Sequence, residues 1–244
     1  MFDETVLRQI TVNVHSSICI RGEKVIYVDP LRIDGEPHDA DLILITHPHF
    51  DHFSPKDIKK LMKPETVIVT PAGLARLCRL RTGAEPQTVR PQQQCTFCGI
   101  PVETVAAYNL HKPSHRKRQG WVGYVLTLGQ TRVYITGDTD ITPEAQAVSC
   151  DILLIPVGGV FTVNAAQAAE LTAQLHPHTV IPIHYGTMLG GAGAAEQFRG
   201  LVPEGIETDI REGVCSNVMI PQLLKILLLA AAAAVLGYFI GGSL

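Results

Sequence analysis

Residues 42–52 read Leu-Ile-Leu-Ile-Thr-His-Pro-His-Phe-Asp-His, an apolar run that ends abruptly in four side chains able to ligate a metal. The apolar part is short and has no polar face, which fits a strand buried on both sides between other layers. Ser54-Pro55 follows, with serine as a helix N-cap, proline in the first helical position and Asp57 near the positive helix start. His47, His49, Asp51 and His52 therefore sit on one rigid turn between a buried strand and a helix. Imidazole and carboxylate suit Zn²⁺, Mn²⁺ or Fe²⁺, and alternate residues of such a turn can face two neighbouring cations. The motif holds no thiolate, which disfavours a closed structural zinc site.

The same alternation of short apolar runs and turn formers continues along the chain. Strands are expected at 7–14, 18–20, 25–28, 66–70, 88–90, 94–97, 102–108, 123–128, 132–136, 152–156 and 179–183, with closing strands near 206–209 and 215–219. Helices are expected at 55–62, 72–80, 165–175 and 194–201, the third capped by Thr162 or Asn164. This predicts an α/β (α+β) fold of two packed sheets with helices outside. No linker divides residues 1–220, which read as one domain.

Composition narrows the function classes. With 46% hydrophobic and 18% charged residues the chain is not of the disordered type, and a net charge of −3 argues against nucleic acid as a partner. The six cysteines follow no framework spacing and the first residues carry no apolar signal, so reduced thiols and a cytoplasmic domain are expected. Cys95-Thr-Phe-Cys98 is a lone pair, read as a loop or strand end. Residues 221–244 differ: from Ile226 onward there is no charge, and Leu223–Leu244 as a helix would reach ~33 Å. The expectation is a C-terminal hydrophobic helix that anchors the domain to a membrane, with Lys225 on the cytosolic flank. The alternative is a helix buried in the fold or in a homo-oligomer interface.

Later strands offer more ligands at their ends: Asp138 in Gly137-Asp-Thr-Asp140, and His184 in Pro182-Ile-His-Tyr-Gly186. One carboxylate such as Asp138 can give an oxygen to each of two cations. Together with Asn109–His115, Gly120–Tyr124 and Pro156–Gly159, the pattern over residues 6–219 resembles the metallo-β-lactamase-fold hydrolases. Within them it is similar to the branch around L-ascorbate-6-phosphate lactonase and N-acyl-phosphatidylethanolamine phospholipase D. The resemblance implies a four-layer αβ/βα sandwich with two divalent metal ions, zinc or manganese, at one edge. It implies that His47, His49 and a third histidine hold one ion, that Asp51, His52 and His184 hold the other, and that Asp138 bridges. His115 matches the family position for the third histidine, with His111 as the alternative. His15 follows Val14 where the family often has glycine, and is read as a supporting or core residue.

The implied activity is hydrolysis of a small ester, lactone or phosphoester by a hydroxide generated at the metals. Asp51 is the candidate general base. Tyr185 is a candidate donor to the oxyanion or leaving group, or a ring packed under the metal loop. Arg116 and Arg118 belong to a basic run that either is solvated or meets an anionic small-molecule substrate. Two other readings stay open: a membrane-tethered phospholipid phosphodiesterase, and a non-catalytic metal-dependent binding or sensor protein.

Overall fold

A computed structural model describes residues 2–186, 191 and 193–211. The first sheet contains β1 (Ile10–Val14), β2 (Ser17–Arg21), β3 (Val25–Val28), β4 (Leu42–Leu44), β5 (Val67–Pro71) and β6 (Gln87–Val89), in that spatial order. Its first three strands pair antiparallel and the remainder parallel. The second sheet runs β13 (Glu207–Thr208), β12 (Thr179–Ile183), β11 (Ile152–Pro156), β10 (Thr131–Ile135), β9 (Val122–Leu128), β8 (Ile100–Ala106) and β7 (Gln94–Phe97). Strands β7 to β10 form an antiparallel meander, and β10 to β13 pair parallel.

Strand β4 shows why the sheets stack as they do. Successive side chains of a strand point to opposite faces. Leu42 and Leu44 join the large cluster between the sheets, whereas Ile43 and Ile45 join a smaller cluster with Ile58, Leu61, Leu74 and Cys78. Those four lie on α2 (Pro55–Leu61), on α3 (Ala75–Thr82) and on the short 3₁₀ turn Ala72–Leu74. On the far side, α5 (Ala165–Leu175) and α6 (Ala194–Arg199) bury Ala168, Leu171 and Phe198 against the second sheet. The result is helix, sheet, sheet, helix. Ser54 caps α2 by accepting from Asp57 N–H, and Asn164, rather than Thr162, caps α5 through a capping box with Gln167.

Three local expectations are corrected. Residues 7–9 do not begin β1 but end a helix, α1 (Glu4–Gln9), which Asp3 caps, with Glu4 in its first turn and Arg8 in its last. Residues 72–74 form a 3₁₀ turn that leads into α3. A one-turn helix, α4 (Pro143–Gln146), capped by Thr142, was not expected. The expected strand at 215–219 and the hydrophobic segment 221–244 lie outside the described residues. Among the described residues no helix is long and apolar enough to cross a membrane.

Candidate metal centre

The ligand candidates meet at one end of the sandwich. β4 ends in Thr46–His52, the segment after β8 carries His115, β10 leads to Asp138 and β12 to His184. The two sheets are tied there: Val122 N–H at the start of β9 donates to Thr46 O beyond β4 (3.3 Å), and Tyr124 Oη donates to Ile45 O (2.7 Å). Gly137 has φ +63 and packs against Thr46, so a glycine suits the turn that delivers Asp138.

Two groups of donor atoms form, each within 4.8 Å of one another: His47, His49, His115 and Asp138, and His15, Asp51, His52 and His184. Asp138 stands between them. Its carboxylate oxygens lie 3.4 Å from His115 Nε2 and 3.7 Å from His47 Nε2, and 3.3 Å from both His52 Nε2 and His184 Nε2. Asp51 Oδ2 is 3.1 Å from His15 Nε2 and 3.4 Å from His184 Nε2. The structure thus brings His115, not the exposed His111, to the first group. His15, expected as a supporting residue, is fully buried in the second group with its ring 3.7 Å from that of His184.

The donor set fits divalent metal. His52 Nε2, His115 Nε2, His184 Nε2 and Asp138 Oδ1 are buried and have no hydrogen-bond partner. Buried polar atoms are otherwise almost always paired, so their convergence marks a place for a cation. His47 Nε2 and His49 Nδ1 face each other at 3.1 Å. The backbone is held unusually as well: His15, His115 and His184 have φ of 58, 52 and 58, in the left-handed region that costs a non-glycine residue energy. Cross-links hold such loops. His184 N–H donates to His15 O, Asn109 N–H to His115 O, and Lys112 ties to Asp140 and to Thr162 O.

Burial and neighbouring charge set the protonation of these groups. Burial, with His52 beside it, holds His47 well below the ordinary histidine range, and burial with His115 lowers His49 to about 4. Burial opposes charge on His184 too, but Asp138 and Asp51 outweigh it and lift that imidazole to about 9. Burial likewise works against the Asp138 carboxylate, and His184 and His52 overcome it, leaving the group ionised.

Asp29 escaped the sequence analysis; its available signal was a carboxylate at the end of an expected strand, 17 residues before Thr46. It is buried at the end of β3, with φ 47. It accepts from Thr46 N–H (2.8 Å), Thr46 Oγ1 (2.6 Å) and His52 Nδ1 (2.7 Å), which turns His52 Nε2 toward Asp138. Tyr185 is 1% exposed within the large hydrophobic cluster, and Arg116 and Arg118 are exposed on the loop after His115.

The model of the Beta-lactamase superfamily domain matches residues 9–184. The UPF0173 metal-dependent hydrolase of Pyrococcus furiosus is 30% identical over 214 residues, covering 80% of this chain and 92% of that one. A crystal structure of a protein classed as a metal-dependent hydrolase from Parabacteroides distasonis superposes with TM-score 0.71 at 30% identity, over 83% of this chain and 92% of that chain. The metallo hydrolase Igni18 from Ignicoccus hospitalis shares the fold at TM-score 0.67 and 19% identity, over 84% of this chain and 95% of that one. With the paired donor groups at the sheet edge, these likenesses establish that the chain belongs to the metallo-β-lactamase superfamily, as one of its metal-dependent hydrolases.

Proposed function

We propose that the protein is a dinuclear hydrolase that cleaves a small ester, lactone or phosphoester. The observation that carries this reading is the convergence of four buried donor atoms that have no hydrogen bond, on His52, His115, His184 and Asp138, from separate loops. In this reading His47, His49 and His115 hold one ion, Asp51, His52 and His184 the other, and Asp138 reaches both. When bound, two divalent cations, zinc or manganese, supply Lewis acidity and lower the pKa of water to near neutrality. Asp51, held by His15, accepts the proton of the attacking water. His15 has contact with Asp51 rather than with Asp138, so its role is to fix the base.

The test is metal content and turnover of the full-length protein and of Asp138→Ala and His184→Ala. The expected wild-type result is about two equivalents of transition metal per chain and turnover on lactone, phosphoester or carboxylester probes. Each variant should lose at least one equivalent and hydrolysis by about 10²-fold or more, with an unchanged circular dichroism spectrum. Full turnover in both variants sinks the dinuclear assignment. A membrane-tethered phosphodiesterase is the second reading, favoured by the charge-free stretch 226–244. Sedimentation of the full chain with phospholipid vesicles, and turnover of their lipids, distinguishes it from the first.

A further inference from the structure

We infer that the substrate carries an apolar acyl or aryl group beside its scissile bond, and that this group lies on Trp121. The inference deepens the hydrolase reading above and rests on it. The indole centroid is 5.0 Å from the ring of His47, 4.9 Å from that of His49 and 5.1 Å from that of His115. Trp121 is half-buried, and so is Phe161, whose ring lies 6.4 Å from His115. In the first donor group His47, His115 and Asp138 are buried, while His49 is only half-buried. The centre is therefore open beside His49, where Trp121 forms the adjoining wall. A substituent that leaves the cleaved bond on the side of His49 passes within reach of the indole.

The loops around the centre also expose apolar side chains. Phe50, Leu110 and Val160 are 55%, 46% and 47% exposed. Each belongs to a loop that carries or braces a ligand: Phe50 separates His49 from Asp51, Leu110 follows Asn109, which donates to Phe161 O, and Val160 precedes Phe161. Exposed apolar side chains on the loops of a polar centre mark a candidate binding surface. The nearby lysines do not offer an anion clamp, because Lys112 is taken by Asp140 and Lys117 by Glu144. Arg116 and Arg118 are exposed, so phosphate is included as a competing ligand below. Hydrolysis of such an ester adds water across the acyl–oxygen bond, releasing a carboxylate and an alcohol with no further reactant.

Trp121 is the sole tryptophan, so its emission reads this surface directly. The full-length zinc-loaded protein is assayed with 4-nitrophenyl acetate, butyrate, hexanoate and octanoate, and titrated with butyrate, octanoate and inorganic phosphate while indole emission is followed. The expected result is a rise in kcat/KM of about two- to fourfold per methylene, the upper value being that of a fully buried CH₂. Octanoate should change the emission saturably and more tightly than butyrate, and phosphate should not. Replacing the exposed rim, Leu110→Ser with Val160→Ser, should flatten the chain-length slope at unchanged metal content. Ester hydrolysis with a flat or falling series overturns the inference while leaving the hydrolase reading intact. So does an emission response to phosphate that matches octanoate and disappears in Arg116→Ala/Arg118→Ala. Saturable octanoate binding without turnover of any probe would instead retain the surface and remove the hydrolase reading.

Discussion

At Asp29 a single side chain decides the tautomer of a candidate ligand, His52. One oxygen accepts the Thr46 N–H, and the other takes the Thr46 hydroxyl and His52 Nδ1. An Nδ1–H bonded to a carboxylate leaves Nε2 with its lone pair free for metal. Asp29→Asn keeps the shape but places an NH₂ against one of these donor sets. The expected outcome is a 10–100-fold loss of metal affinity, read by competition with a chelator. The fold should survive, at a cost of about 1–3 kcal/mol in denaturant titration. Unchanged affinity would show that Thr46 alone orients His52. The motif residues themselves were legible because ligand chemistry is local to HxHxDH, whereas Asp29 lies 23 positions from its partner. Pairing over that distance is visible only when β3 and β4 lie side by side.

At the scale of elements, strand and helix positions followed from periodicity, and the misses have local causes. Leu7 belongs by composition to the apolar run of β1, yet the Asp3 cap and the Glu4 and Arg8 charges favour one and a half turns of helix before the strand starts. Contact between strands makes stricter demands. In β9, Gly123 runs so close to the end of β10 that an added Cβ would press on Thr136 O and lie 2.7 Å from Ile135 O. Backbone oxygens of a paired strand cannot step aside as a flexible side chain would. Gly123→Ala is therefore expected to cost about 1–3 kcal/mol or more, and to displace the turn that carries Asp138. Thermal unfolding combined with metal content checks it, and a stable variant with full metal would show that β9 can shift freely.

For the whole molecule, the centre is a junction of the two sheets. His47, His49, Asp51 and His52 come from the first sheet, and His115, Asp138 and His184 from the second. Ions held by both would cross-link the layers, so metal should stabilise the folded state rather than merely occupy it. Free ion at a hundred times Kd adds about 2.7 kcal/mol, which for a domain of this size corresponds to about 5–10 °C in Tm. Chelation should reverse the rise, and His184→Ala should reduce it. A Tm indifferent to zinc and manganese in the wild type would break the link between centre and sheet packing.

By itself the sequence determined most of the strands, the Ser54 cap of α2, the turn that bears four candidate ligands and the further candidates Asp138 and His184, because each rests on periodicity or on chemistry within a few residues. It left His111 and His115 as alternatives, since four positions in a loop cannot tell which ring turns inward. Tertiary structure chose His115, through the Asn109 and Lys112 bonds that fold the loop and hold the histidine in a left-handed conformation. It also placed His15 against Asp51, set Asp29 behind His52 and brought Trp121 against the rings of His47, His49 and His115. Those contacts join residues from different strands and loops, and only the stacking of two sheets makes them neighbours.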